Sequence, residues 1–487
     1  MIKVSAKDFG PIIEGTVELK PLTIFIGPSN SGKSYLATLL YALLQRGDRL
    51  GTLNWSLPRY RVRRSLAESI SEDVSRKDLR ETVQQWKKEL AGAGKTAQLP
   101  FASLPESMRA HINKYLGGEI RQTFAETGRD LQAYFGELSQ LARRYTEHPH
   151  LQVRLKQESP PLDVQFVISD GSLKAQGEKH DLSQGVLNLR ELEFWFSNIR
   201  TREQYFELLF GLLEGAISAI FSPFPNDSYY LPAARSGIVQ GHKAIASILV
   251  RQSSFAGIEP LQIPTLSGVI TNFISLILTI ERRPRPSRKA LADVVAFLEA
   301  EVVHGKVDIE HAEGLLYPEI SYEPGGAQSA IGKIPLHRTS SMVSELAPFV
   351  LFLKYLVDPG DLVILEEPES HLHPASQLKM ARAIVRLVNK GVKVLITTHS
   401  DYFVGQLNNL MRLSSASKSR VAKEGYTSED VLKPADVAAY NFAMQEAGSI
   451  VEELPIRAEE GIPEEEFVRV DEALYNEAIS LQRIRRR

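Results

Sequence analysis

The chain contains no cysteine. Disulfides, thiolate zinc sites and cysteine nucleophiles are thereby excluded together, and a reducing, cytoplasmic setting is the expectation. Long hydrophobic runs are missing as well. The longest candidate, residues 266–280, is broken by Ser267, Thr271, Asn272, Ser275 and Thr279. It reads as a buried helix rather than a bilayer span, so no membrane partner is expected. The opening Met1-Ile2-Lys3-Val4-Ser5-Ala6-Lys7-Asp8 lacks the apolar core of a secretory signal. An excess of one charge is absent too: the formal net charge is −2. That speaks against a protein that coats nucleic acid, while leaving room for a local DNA-binding patch. Internal repeats and low-complexity tracts are not evident, and no helical stripe sustains heptads for the length of a long coiled coil.

What is present points to phosphate chemistry. Leu22-Thr23-Ile24-Phe25-Ile26 has the apolar continuity of a buried strand, and Tyr35-Leu36-Ala37-Thr38-Leu39-Leu40 has the spacing of a helix. Between them lies Gly27-Pro28-Ser29-Asn30-Ser31-Gly32-Lys33-Ser34, a G-x-x-x-x-G-K-S run in strand-loop-helix context. Glycines at both ends let backbone N–H groups curl around an anion, and the following helix aims its positive N-terminus at the same point. The pattern predicts ATP-type binding, with Lys33 on the β- and γ-phosphates and the Ser34 hydroxyl on Mg²⁺.

Far downstream, Leu362-Val363-Ile364-Leu365 is another continuous apolar run and ends in Glu366-Glu367-Pro368-Glu369. In parallel sheets such runs are buried on both faces, and ligands gather at their carboxyl ends. Successive side chains on a strand point differently. Glu366 is therefore assigned to the metal and Glu367 to activation of the attacking water. A third apolar run, Val392-Lys393-Val394-Leu395-Ile396, leads to Thr397-Thr398-His399-Ser400. Its histidine is placed to hydrogen-bond a γ-phosphate.

These motifs in this order, with Glu-Glu-Pro-Glu-Ser-His-Leu-His-Pro at 366–374, resemble the ABC-type ATPases of the RecF, SMC and OLD group. The similarity is greatest to the OLD-like AAA ATPases of bacterial defence operons, and it covers residues 1–45 and 315–405. The resemblance implies an α/β ABC-type P-loop head, a mixed or parallel sheet with flanking helices, carrying an inserted mainly helical subdomain. It also implies ATP and Mg²⁺ as cofactors. Two heads would sandwich the nucleotide, each completed by a signature motif from the other, which makes a second copy of the chain an expected partner. The matching stretch is Thr339-Ser340-Ser341-Met342-Val343-Ser344-Glu345-Leu346, where Ser340 and Ser341 are candidate phosphate contacts and Met342 stands where the family usually has glycine. Ser370-His371-Leu372-His373-Pro374 occupies the place of the loop that crosses the dimer interface.

The head is expected from residues 1–45, 220–240 and 313–487, and the arm from 46–219 and 241–312. Within the arm, Leu66-Ile70-Val74, Val83-Trp86-Leu90 and Leu131-Phe135-Leu138-Leu141 form helical stripes, and Ser159-Pro160-Pro161 marks a hairpin. Tyr229 to Leu231 reads as a strand returning to the core. Arg235 after it suits a phosphate contact, a link to the arm or a structural ion pair. Basic groups at Arg59, Arg61, Arg63 and Arg64 and at Arg282 to Lys289 suit a solvated surface or a phosphate backbone. The Arg143 to His148 spacing is read as chance. Residues 411–430 read as a mobile stretch, followed by short strands near 437–442 and 450–454 and a helix from Glu464. After His399 the chain shows no Asp-x-Asp pair of the kind that Toprim nucleases carry. The OLD-like resemblance then implies a regulatory output: a sensor ATPase in anti-phage defence controlling a separate effector such as a Toprim nuclease. The alternative is a RecF-like DNA-binding ATPase of repair or recombination.

Overall fold

The computed structural model describes residues 1–45, 96–104, 106–136, 152–169, 172–190, 215–241, 266–280, 290–310, 319–326, 332–457 and 459–484, with a few isolated positions besides. The arginines at 59–64, the stripes at 66–74 and 83–90, Leu138 and Leu141, the Arg143–His148 spacing and the basic run at 282–289 lie outside the described residues.

The chain opens with strands β1 (Ile2–Phe9), β2 (Ile12–Leu19) and β3 (Leu22–Ile26) and helix α1 (Lys33–Leu44). It continues through β4 (Thr96–Pro100), α2 (Glu106–Phe135), β5 (Gln152–Gln157), β6 (Leu162–Ser169), β7 (Ser172–His180), β8 (Val186–Arg190) and β9 (Ser228–Leu231). Next come α3 (Gly268–Thr279), α4 (Ala292–Leu298), β10 (Gly305–Glu310), β11 (Glu319–Pro324), β12 (Ile334–Pro335) and α5 (Ser341–Tyr355). The remainder is β13 (Leu362–Glu366), α6 (Pro374–Asn389), β14 (Lys393–Thr398), α7 (Asp401–Arg412), α8 (Lys418–Lys423), β15 (Val437–Gln445), β16 (Gly448–Leu454) and α9 (Glu465–Ile484). This is an α/β fold built on mixed parallel and antiparallel pairing with flanking helices.

Two compact units emerge. The first comprises residues Met1–Phe9, Ala42–Gln132 and Glu137–Asn226. Its strands run in the order β7-β6-β5-β1, antiparallel throughout, and β4 pairs separately with β8. The hairpin expected at Ser159-Pro160-Pro161 is β5–β6, whose inward side chains Val153, Leu155, Val164 and Phe166 are wholly buried. Phe124 from α2 packs edge-on to Phe166, with ring centroids 5.6 Å apart. The addition of β7, β4 and β8 has no forerunner in the sequence pattern.

The second unit comprises Gly10–Tyr41, Ala133–Gly136 and Asp227–Arg487. Its strands run β2-β16-β15-β3-β14-β13-β9. From β15 to β9 every neighbouring pair is parallel. All residues of β3 and β13 are buried, as continuous apolar runs in a doubly covered sheet demand. Helix α5 contributes Phe349, Val350 and Phe352 to this core, α6 contributes Ile384 and Leu387, and α7 contributes Phe403 and Leu407. Pro348 sits inside α5. An interior proline costs a helix about 3 kcal/mol. Burying such large apolar side chains contributes about 1.5–3 kcal/mol each, enough to hold the helix across it.

Residues 411–430 are not the loose stretch their polar composition suggests. Short helical turns at Leu413–Ser415, Lys418–Lys423 and Ser428–Asp430 carry the chain to a wholly buried Asp430. Its carboxylate is gripped by Arg386 Nε at 2.7 Å and Arg382 Nη2 at 3.0 Å, both from α6. One buried anion, invisible to a composition argument, anchors the segment.

Candidate functional site

Strands β3, β14 and β13 are neighbours, all parallel, with Ile26 opposite Thr398 and Thr397 opposite Glu366. The three motifs therefore leave the sheet side by side at its carboxyl edge. The glycine run follows β3, His399 follows β14, and the carboxylate pair ends β13.

The loop at 27–34 is shaped by its glycines. Gly27 has φ +139°, and a Cβ there would approach the Phe442 carbonyl oxygen to 2.9 Å. Gly32 has φ +96°, where a side chain would meet Pro11 and Ile12. Asn30 adopts a left-handed conformation at φ +64°, which its short amide tolerates. Pro28, Ser29 and Asn30 face solvent, and α1 begins at Lys33 with Leu36 N–H bonding Gly32 O at 3.0 Å. Lys33 is 6% exposed, and its ammonium donates to the carbonyls of Gly27 (2.8 Å) and Pro28 (2.7 Å). The Ser31 hydroxyl is buried without a hydrogen-bond partner among the described residues. A buried orphan hydroxyl, a lysine folded over the loop and the first amides of a helix suit a polyphosphate. Ser34 is exposed at the start of the helix.

Glu366 closes β13 and is buried. Its carboxylate accepts from Tyr230 Oη at 2.8 Å and from Ala233 N–H at 3.1 Å. Each oxygen keeps a second lone pair, so the donor set still suits a hard cation. Burial, reinforced by the charge of Glu366, raises the Tyr230 phenol well above its ordinary pKa and keeps it a neutral donor. Tyr230 is a site residue that the sequence offered only as part of a strand.

Glu367 has φ +43°. Left-handed backbone at a non-glycine residue costs on the order of 1–3 kcal/mol and persists only where its surroundings enforce it. Here Glu367 N–H bonds Thr397 O at 2.9 Å, and Glu367 O accepts from Ser370 N–H at 3.0 Å and Arg235 Nη2 at 3.3 Å. The turn projects its carboxylate toward solvent, steadied by the Ser370 hydroxyl at 3.0 Å and 3.7 Å from His399 Nε2. Partial burial and the nearby Lys33 lower the His399 pKa, with Glu367 opposing them, so the imidazole is neutral at pH 7. Glu369 fixes the histidine's backbone: Oε1 accepts from His399 N–H and from Thr398 Oγ1, both at 2.7 Å. Burial pushes Glu369 up in pKa against those two hydrogen bonds.

Arg235 resolves into a buried ion pair. Neither it nor Glu345 is exposed, and Arg235 Nη2 lies 2.9 Å from Glu345 Oε1. Among the described residues it makes no contact with the glycine loop. Glu345, a charged residue in an apolar helix, was the available signal for this pair.

Ser340 and Ser341 stand apart from the rest. Ser340 caps α5, accepting from Val343 N–H at 3.4 Å, and both serines are exposed. Among the described residues neither bonds to the glycine loop, Glu367 or His399. His371 is exposed with φ +62°, and His373 caps α6.

Residues 291–404 match the family model of an AAA ATPase domain. Solved structures similar in fold are heads of SMC proteins. One is an SMC head bound to the C-terminal winged-helix domain of ScpA, 10% identical, covering 93% of this chain and 97% of that one, with a TM-score of 0.38. Another is the SMC head domain from Thermotoga maritima, 10% identical, covering 93% and 98%, with a TM-score of 0.34. A third is the Pyrococcus furiosus SMC head with an extended coiled coil bound to the C-terminal domain of ScpA, 11% identical, covering 98% and 100%, with a TM-score of 0.36. No curated protein matches the chain.

Proposed function

We propose that the chain is an ATP-binding and ATP-hydrolysing ABC-type ATPase, using Mg²⁺ held by Ser34 and Glu366. The observation that carries this reading is the meeting of the glycine loop, the Glu366-Glu367 pair and His399 at the carboxyl ends of adjacent parallel strands. Residues 27–34 bind the phosphates, with Lys33 exchanging the Gly27 and Pro28 carbonyls for phosphate oxygens. Bound Mg²⁺ supplies charge neutralisation on the phosphates. Glu367 takes the proton of the attacking water, and neutral His399 donates to the terminal phosphate.

Ser340 and Ser341, exposed at the N-terminus of a long helix, complete the site of a second copy. In this reading the head comprises 1–45, 220–240 and 313–487 and the arm 46–219 with 241–312, a division that differs from the two compact units at residues 1–9, 42–45, 133–136, 220–226 and 241–312. In the cell the chain acts as the regulatory subunit of a cytoplasmic anti-phage system, and nucleotide-driven rearrangement of its interface controls a separate effector such as a Toprim nuclease. The Glu-Glu-Pro-Glu-Ser-His-Leu-His-Pro segment supports this assignment. Co-expression with the neighbouring genes tests it: a complex with a small nuclease or toxin, altered by ATP, is expected. A chain that recovers no such partner and instead retards duplex DNA in an ATP-dependent way would overturn it in favour of a repair ATPase.

A further inference from the structure

The guanidinium of Arg235 does more than pair with Glu345. Nη1 donates to Glu366 O at 2.6 Å and to Pro232 O at 2.9 Å. Nη2 reaches Glu367 O at 3.3 Å as well as the Glu345 carboxylate, and Nε donates to Glu345 O at 3.2 Å. The other Glu345 oxygen accepts from Ser236 N–H at 2.9 Å. One buried cation thus joins the backbone of both site glutamates to the second turn of α5. That turn lies just inside the helix from Ser340 and Ser341. Pro348 follows it and offers no N–H to the Ser344 carbonyl, which weakens the link between the first turns of α5 and the rest of the helix.

We propose that Arg235 and Glu345 form a buried relay tying the first turns of α5 to the Glu366–Glu367 backbone, so that the placement of Ser340 and Ser341 sets the aim of the Glu367 carboxylate. It rests on the reading of Glu367 as the hydrolytic base. Breaking a buried ion pair leaves an uncompensated charge, so the two partners move together. A displacement of the α5 N-terminus is therefore passed to the carbonyls of Glu366 and Glu367. The recipient is poised to respond, because among the described residues the Glu367 backbone is held in its left-handed conformation by these contacts and those with Thr397 and Ser370. Engagement of the exposed serines by a second copy's nucleotide would in this way align the base on the chain's own nucleotide. Arg235 and Glu345 are positioning residues in this scheme.

Glu345→Gln keeps the size and one acceptor; Arg235→Lys keeps the charge but loses the planar fork. Steady-state hydrolysis, melting temperature and hydrogen exchange of residues 364–372 without nucleotide are compared with the wild type. The relay predicts folded variants in which kcat falls about tenfold or more while KM stays within about threefold. It also predicts faster exchange at 366–372, with 22–26 unchanged. Unaltered kcat in both folded variants, a loss confined to KM, or unchanged exchange would overturn it. If both single variants fail to fold, the double Arg235→Met, Glu345→Leu variant removes the charges together and carries the same comparison. A wild type that hydrolyses no ATP would sink the ATPase reading, and the exchange result alone would then decide whether the relay exists.

Discussion

Glu367 and His399 make the sharpest statements at the scale of single residues. The glutamate's left-handed turn separates its carboxylate from the buried Glu366, so adjacent identical residues meet different surroundings. Glu367 also opposes the burial and the Lys33 charge that lower the His399 pKa. Changing Glu367 to Gln removes the only one of these influences that raises it. The His399 imidazole should then titrate at still lower pH, as followed by NMR of the nucleotide-free chain against a His399→Asn control. A pKa that stays or rises would show that the 3.7 Å pair does not interact. For Lys33, replacement by Ala removes the charge that the loop folds over itself to hold. ATP affinity should drop by at least about a hundredfold, or roughly 3 kcal/mol, by calorimetry. Retained micromolar affinity would contradict the assignment of the loop.

At the scale of elements, the strands that carry the site were legible because burial on both faces leaves a plain mark, a continuous apolar run ending in polar residues. Leu22–Ile26, Leu362–Glu366 and Lys393–Thr398 all carry it. The return strand β9, buried along its length, was readable for the same reason, whereas β16 is buried only at alternate positions of its first half and left just a short apolar trace. What stayed hidden was set by contacts between distant positions. Tyr230 holding Glu366, Glu345 neutralising Arg235, and Asp430 gripping α6 each depend on a partner far away in sequence. Asp430 gives the element-scale prediction. Burial alone would push its carboxyl up, yet hydrogen bonds from Arg386 and Arg382 hold it down at about 2. Being more acidic folded than unfolded, it contributes about 2 kcal/mol that is complete above about pH 4 and lost as the pH falls toward 2. Asp430→Asn should lower the melting temperature at pH 7 and flatten the acid limb of stability. An unchanged melting temperature would mean that the 413–430 segment is anchored by other contacts.

For the whole molecule, the candidate site is complete on one face only. The glycine loop, Glu366, Glu367 and His399 meet at the ends of adjacent strands, whereas Ser340 caps α5, Ser341 begins it, and neither bonds to those residues among the described ones. That separation suits the proposed site finished by a second copy, and under that proposal hydrolysis depends on assembly. Mass measurement of the Glu367→Gln variant should show an oligomer that forms with ATP and persists, because binding is kept while turnover is lost. A mass independent of ATP would argue that each chain works alone.

The most direct test of the account is single-turnover chemistry with bound nucleotide quantified. Wild type and Glu367→Gln are each loaded with radiolabelled ATP and Mg²⁺, and phosphate release is followed. Equal loading is expected, with release by the wild type and a rate at least about a hundredfold slower in the variant, as loss of a general base implies. Equal release from both would contradict the claim that these strand ends form a hydrolytic site centred on Glu367.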